Sequence, residues 1–92
     1  MFNRVLKRMQ EKVRGLDYLM STHAEEEMED DDLTIFDVEE VILTGEVIER
    51  QRDYTTNEWK YLIRGQINGD QAIVVTKLSL TGRLIIITVY LE

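Results

Sequence analysis

The sequence predicts a single α+β domain in which N-terminal helices pack on one face of a four-stranded antiparallel sheet. The chain has 92 residues, which is enough for one domain. Up to residue 45 the apolar residues recur at helical spacing, whereas from Glu46 onward they alternate with a period of two. Asn68-Gly69 lies between two alternating runs and is the strongest short signal for an antiparallel hairpin. The domain, residues 1–92, therefore divides into an N-terminal helix (1–15), a His-containing helical segment (16–45) and an antiparallel sheet (46–92).

Three helices are predicted before the sheet. The first covers residues 2–14, where an apolar stripe lies opposite a cationic face, and Gly15 ends it. Residues 18–20 are a short extended candidate. Thr22 followed by Glu25 forms a capping-box pattern, which predicts a short helix to about residue 30. A second cap pattern at Thr34 begins a helix that Gly45 ends.

Four strands are predicted over residues 47–53, 58–67, 71–78 and 83–91. Two-residue turns at residues 68–69 and 81–82 fix the pairing of the last three strands, because side chains alternate between the two faces. Counting outward places Arg64 opposite Ile73, Ile73 opposite Tyr90, and Lys77 opposite Ile86. The predicted core face carries Trp59, Tyr61, Ile63, Val74, Thr76, Leu78, Ile85, Ile87, Val89 and Leu91. The predicted open face carries Lys60, Leu62, Arg64, Ile73, Val75, Lys77, Ile86, Thr88 and Tyr90.

Lys60 opposite Lys77 is an unusual pair, because like charges directly across two strands destabilise a sheet. An anion bound between the two ammonium groups would remove the repulsion. Alternatively, both side chains extend into solvent, or the strands pair in another register.

Composition limits the chemistry. There is no cysteine and one histidine, His23, so disulfides, thiolate metal sites and a Cys/His zinc site are excluded, and we expect neither a metal nor a cofactor. No apolar run approaches the ~20 residues that span a bilayer, so no membrane association is expected and a cytoplasmic location is the default. The net charge of −7 is local: residues 15–45 contain eleven acids and no base, whereas residues 46–92 contain six of each.

Two features of the helical segment are candidates for function. His23 is the one side chain that titrates near neutral pH unaided, and its place in the first turn of a helix favours a neutral imidazole that can act as a base. The alternative is a histidine bonded to a neighbouring carboxylate. Residues 25–32 hold seven acids in eight positions, which suits a divalent-metal site, a docking surface for a basic partner, or simply a solvated helix face.

Three stretches of the chain resemble the family called domain of unknown function 4258. They are Thr22-His23-Ala24 with Met28, residues 36–49 from Phe36-Asp37-Val38 to Glu49, and Ile86-Ile87-Thr88-Val89-Tyr90. The resemblance covers roughly residues 18–91. That family is similar to toxins of the BrnT and RelE kind and to the toxin tips of contact-dependent inhibition systems. The resemblance therefore implies a RelE/barnase-like architecture, metal-independent RNA cleavage and an antitoxin as protein partner.

The resemblance also implies functional residues. His23 matches the family histidine, and Thr88 and Tyr90 match a polar pair in its last strand. Where family members carry arginines after the His-Ala motif, this chain has the acids of residues 25–32. Arg64 and Lys77 join the candidate site from the strand pairing rather than from the resemblance.

Three functional hypotheses follow. In the first, the chain is a toxin-like endoribonuclease with an RNA substrate, in which His23 is a base or acid, Arg64 and Lys77 hold the phosphate, and Thr88 and Tyr90 orient it. In the second, it is a non-catalytic module whose acidic segment binds a basic protein. In the third, it is a homodimer that uses a sheet edge or the first helix; the sequence leaves the oligomeric state open.

Overall fold

The computed structural model describes all 92 residues, Met1–Glu92. Its five strands form one sheet in the order β1-β5-β4-β3-β2, in which β1 runs parallel to β5 and every other neighbouring pair is antiparallel. The α+β class predicted from the sequence is confirmed. None of the three helices has the length and the apolar composition that a membrane span requires. The elements in chain order are α1 (Asn3–Arg14), β1 (Tyr18–Met20), α2 (Thr22–Asp30), α3 (Ile35–Thr44), β2 (Glu46–Asp53), β3 (Glu58–Ile67), β4 (Asp70–Leu78) and β5 (Leu84–Leu91).

The prediction of four antiparallel strands is wrong because the sheet has a fifth strand, β1. Its three residues pair in parallel with the first half of β5, from Tyr18 opposite Leu84 to Met20 opposite Ile86. A three-residue strand is too short to show a period of two, and its partner lies more than sixty positions further along the chain. No local turn pattern indicates such a pairing, so the sequence predicts an extended segment without assigning it to the sheet.

The helix starts follow capping rules, with one correction. Thr34 and Asp37 form the predicted capping box, in which the Asp37 backbone N–H donates to the Thr34 hydroxyl (3.2 Å) and the Thr34 N–H donates to the Asp37 carboxylate (2.9 Å). The cap of α2 is Ser21 rather than Thr22: its hydroxyl accepts from the Ala24 N–H at 3.0 Å. The Ser21 hydroxyl also donates to the Ile87 carbonyl at 2.7 Å, which attaches α2 to β5.

The β3–β4 hairpin has the register predicted from its turn. Asn68 and Gly69 both have positive φ, as a two-residue hairpin turn of this kind requires, and Ile67 pairs with Asp70. Arg64 consequently lies opposite Ile73. Lys77 follows Thr76, the last β4 residue paired with β3, so the two faces of these strands are those that the sequence predicted.

The β4–β5 pair contains a bulge that the sequence analysis missed. Val75 pairs with Thr88 and Thr76 pairs with Ile86, so Ile87 is an extra residue in β5. Before the bulge, Lys77 faces Ile85, and the prediction that it faces Ile86 is wrong. Leu84 and Ile86 are accordingly fully buried in the core, in place of the predicted Ile85 and Ile87, which are half-buried.

Helices α1 and α3 cover one face of the sheet and leave the other open. Thr76 is the one buried polar residue on the covered face, and its hydroxyl is bonded to the Tyr61 carbonyl (3.2 Å) and to the Met9 sulfur (3.1 Å). Helix α3 approaches the sheet closely at two glycines. A Cβ on Gly65 would lie 3.1 Å from Val41 of α3, and one on Gly45 would lie 2.4 Å from the Val41 carbonyl oxygen.

Candidate functional site

One carboxylate links His23 to the last strand of the sheet. An oxygen of Glu27 accepts from the Val89 backbone N–H at 2.9 Å and lies 3.3 Å from the Nε2 atom of His23. Val89 separates Thr88 from Tyr90 in the chain. The imidazole therefore lies beside the second half of β5, and 65% of its side chain is exposed.

Helix α2 lies along this edge because it continues where β1 stops. The Ser21 N–H still donates to the Ile86 carbonyl at 2.9 Å, as a further β1 residue would. From Ser21 onward the chain is helical, and Ala24 and Met28 are buried in the core on one side of α2. Helical spacing then directs His23 and Glu27 together, four residues apart, toward the second half of β5.

The open face brings Arg64 and Tyr90 into one row across three strands. Tyr90 pairs with Ile73 of β4, and Ile73 pairs with Arg64 of β3. Neighbouring strands lie about 4.8 Å apart, so the backbones of Arg64 and Tyr90 are separated by about 10 Å, within reach of two long side chains. Thr88 lies on the same face in the next row, opposite Val75.

Arg64 is engaged by Glu92. Its Nε atom lies 2.8 Å and its Nη2 atom 3.4 Å from the two oxygens of that carboxylate, which is the two-pronged geometry also used for phosphate. The hydrogen bonds that Arg64 donates to Glu92, followed by the negative charge of that carboxylate, raise the pKa of Arg64, so the guanidinium is fully charged. Beside Arg64 lies an open polar cavity of about 540 Å³, lined also by Thr44, Gly45, Glu46, Gly65, Gln66 and Gln71.

Lys77 does not belong to this group. It lies four residues along β4 from Ile73, the partner of Arg64, which is about 13 Å at the rise of a strand. Its ammonium is 3.1 Å from Glu58, and both side chains are mostly buried. The anion that Lys77 binds is therefore the protein's own Glu58, the β3–β4 pairing ends at Tyr61 and Thr76 before it reaches Lys60 and Lys77, and Arg64 and Lys77 do not converge on one phosphate.

Two members of the site were missed in the sequence. The spacing of His23 and Glu27 is an i,i+4 signal for contact on a helix, but nothing local shows that Glu27 also accepts from Val89, 62 positions away. Nothing in the sequence indicates that Glu92 contacts Arg64, since Arg64 lies 28 positions earlier. No three His, Asp or Glu side chains come together in a group that could hold a metal ion.

Comparison with known proteins gives one match. The family described as "Domain of unknown function (DUF4258)" matches residues 20–91, from the end of β1 to the end of β5. All of the residues around β5 discussed above except Glu92 lie within this range, and helix α1 lies outside it. No curated protein and no solved structure matches the chain significantly.

Proposed function

This chain belongs to the DUF4258 family, whose description assigns no activity, and we propose that it is a small toxin-like, metal-independent endoribonuclease of a toxin–antitoxin type system. The observation that carries the proposal is the contact of Glu27 with both His23 and the Val89 N–H. It supports a site in which a titratable base, two hydroxyls and a guanidinium surround the end of β5.

The reaction that these groups suit is attack of a ribose 2′-oxygen on the adjacent phosphorus. His23 accepts the 2′-hydroxyl proton, and the Glu27 carboxylate stabilises the imidazolium that forms. Arg64 binds the phosphate oxygens as negative charge develops on them, and the Thr88 and Tyr90 hydroxyls orient the same group. The leaving 5′-oxygen takes up a proton from Tyr90 or water, so the products are a 2′,3′-cyclic phosphate and a 5′-hydroxyl.

Glu92 competes with the substrate for Arg64. The Arg64–Glu92 pair is partly exposed, with 39% and 31% of the two side chains accessible. Partly exposed pairs of this kind contribute little to stability, so a phosphate that makes two charge-assisted hydrogen bonds can displace the carboxylate. The proposal therefore expects Glu92→Gln to strengthen RNA binding and leave the products of cleavage unchanged.

The test is cleavage of a structured RNA in the presence of EDTA by the wild-type chain and by three variants. His23→Ala should abolish cleavage, and Glu27→Gln should reduce it at least tenfold and shift its pH profile. Glu26→Gln is the matched control, because Glu26 is a neighbouring exposed acid on the same helix. Equal activity in wild type and His23→Ala, or no activity in either, would refute the proposal.

A second candidate, a non-catalytic acidic interaction module that binds a basic protein partner, is favoured by one observation. Both open-face cations of the candidate site already have a carboxylate partner, whereas Glu27 is the one acid of residues 25–32 with an ion-pair contact. Reversal of Glu25, Glu26 and Glu29 to lysine, with Glu27 kept for the fold, should then abolish pull-down of a partner that the wild type retains. Unchanged retention would count against this function.

A further inference from the structure

A groove on the helix side of the molecule, opposite the open face, collects arginines and aromatic rings. It lies between the first half of α1 and the strands β2 and β3, and it encloses about 310 Å³. Three of its seven lining residues are arginines, the other four are apolar, and none is acidic. The lining residues are Met1, Phe2, Arg4, Val5, Arg8, Arg50 and Tyr61.

Aromatic rings hold the arginines on the strand side of this groove. The guanidinium carbon of Arg50 is 4.0 Å from the centroid of the Trp59 ring and 5.8 Å from that of Phe2. Arg52, two residues further along β2, lies 5.0 Å from the Trp59 ring. A ring face attracts a cation without neutralising its charge, so stacking fixes the position of both guanidiniums and leaves their charges available.

No carboxylate lies within ion-pair distance of Arg4, Arg8, Arg50 or Arg52. The five ion pairs of the structure use Lys12, His23, Arg64, Lys77 and Arg83 instead. The groove is therefore a local positive surface on a chain whose net charge is −7. An anionic ligand gains the full attraction of these cations because it has no protein carboxylate to displace.

We propose that this groove binds single-stranded RNA, with phosphates on Arg4, Arg8 and Arg50 and a base against the rings of Phe2 and Tyr61 that line it. Guanidinium groups match phosphate oxygens in pairs, and the cavity is of the size that holds one nucleotide. A charged groove interleaved with aromatic rings is the usual surface for single strands, because every base can stack. A duplex has its bases stacked internally and would leave these rings unused.

The inference rests on the proposed function for the choice of RNA, and it extends that function to a second surface. The groove and the β5 site lie on opposite faces and near opposite edges of the sheet. A strand bound in the groove therefore contacts the protein several nucleotides away from the bond that is cleaved. Five of the seven lining residues lie within the first eight residues of the chain, outside the segment that matches the family.

The experiment is titration of the protein with a twelve-nucleotide 2′-O-methyl RNA, which binds but has no 2′-hydroxyl to attack the phosphate. Trp59 is the one tryptophan of the chain, and its ring lies 4.0 Å from the guanidinium of the groove residue Arg50, so its fluorescence reports on binding at Arg50. We expect saturable quenching of this emission by wild type. The paired substitution Arg4→Gln and Arg50→Gln should weaken binding at least tenfold and lower the slope of log affinity against log salt by about 1.4, at ~0.7 for each phosphate contact.

The matched control removes the same charge from the outer side of α1 through Lys7→Gln and Arg14→Gln. It should change the affinity less than twofold. Equal losses in the two double variants, binding without a change in Trp59 emission, or no binding by wild type would each overturn the proposal. Equal quenching by a polyglutamate peptide would also overturn it, in favour of an acidic protein partner.

The two proposals fail separately. If the 2′-O-methyl strand binds the groove and cleavable RNA remains intact, the proposed ribonuclease activity is refuted and the proposed binding surface is supported. If RNA is cleaved and the Arg4/Arg50 variant binds and cleaves as wild type does, RNA binding by the groove is refuted and the proposed activity is supported.

Discussion

The two faces of the sheet are held together in different ways. The covered face is packed by shape: Ile63, Val74 and Val89 are fully buried there, and helix α3 approaches so closely that Gly45 and Gly65 leave no room for a side chain. The open face has an aliphatic floor that includes Ile73 and Val75, crossed by the ion pairs of Arg64 and Lys77. The first face tolerates little change, whereas the second can exchange its polar groups.

This difference separates residues that determine stability from residues that are free to bind a ligand. Packing in a close-packed core depends on every methyl group, because a void or an overlap cannot be relaxed. Partly exposed ion pairs contribute little to the free energy of unfolding, so they can be rearranged by a ligand. We therefore expect substitutions on the covered face to affect folding and substitutions on the open face to affect binding.

The largest effect should come from truncation in the core. Ile63→Ala removes a fully buried side chain that faces the helices, and it should lower the free energy of unfolding by about 4 kcal/mol. Leu62→Ala, one residue earlier and on the open face, should cost about half as much because Leu62 is half-buried. Urea denaturation of both variants measures the difference. Equal losses would mean that the open face is covered in solution.

A smaller loss of stability should follow from adding a methyl group where α3 contacts the sheet. In Gly45→Ala the new methyl group would lie 2.4 Å from the carbonyl oxygens of both Arg64 and Val41, which are backbone atoms that cannot rotate away. We expect a loss of about 3 kcal/mol. Gly15→Ala is the control, since its methyl group meets nothing closer than 3.5 Å and should leave stability unchanged or slightly raised. A stable Gly45→Ala variant would show that α3 can shift.

Removing an acid from the open face should cost less again. Glu58→Gln leaves Lys77 without its partner, and we expect a loss of about 1 kcal/mol because this pair is mostly shielded from water. Glu92→Gln should change stability less than Glu58→Gln does, since the pair of Glu92 with Arg64 is more exposed. Thermal unfolding of the two variants compares them. A larger loss for Glu92→Gln would make that pair structural rather than displaceable.

The smallest expected effect concerns the edge strand β1 at high pH. The Tyr18 hydroxyl donates to Glu39 at 2.5 Å, and burial, then this bond and the charge of Glu39, raise the pKa of Tyr18 to about 12. Its unfolded pKa is about 10. The protonated phenol therefore stabilises the fold fully below pH 10, and this contribution is lost as the pH rises toward 12. Unfolding curves for wild type and Tyr18→Phe should converge or cross in that range; parallel curves would contradict the assignment.

Local signals in the sequence predicted the α3 start and the β3–β4 hairpin correctly, because the Thr34 box and the Asn68-Gly69 turn depend on neighbours in the chain. The β4–β5 pairing was predicted correctly only where residues 72–75 lie opposite residues 88–91, because two errors in the register cancel there. The strands end at Leu78 opposite Leu84 rather than at the predicted two-residue turn, and the bulge at Ile87 then restores the expected register. Tyr90 therefore lies opposite Ile73 as predicted.

The candidate site could be predicted only as separate residues. Strand alternation was sufficient to place Arg64, Lys77, Thr88 and Tyr90 on one face. The distance of Lys77 from Arg64 along the strands also followed from that counting, but the carboxylates that engage both cations did not. Those contacts, like the one between Glu27 and Val89, join residues that only tertiary packing brings together.

Because Ile87 is the unpaired residue of the bulge, its deletion would affect β5 differently from the deletion of a paired residue. If Ile87 were removed, Thr88 would still pair with Val75, Ile86 would still pair with Thr76, and the sheet would close without a gap in its alternation. The Ser21 hydroxyl would lose the carbonyl that it now meets at 2.7 Å. A shortened chain would therefore keep its β-layer but lose one contact between α2 and β5, so that the burial of Ala24 and Met28 and the bond from the Val89 N–H to Glu27 alone would hold α2 at this edge. The extra residue in β5 thus supplies an anchor for the start of the helix that carries His23.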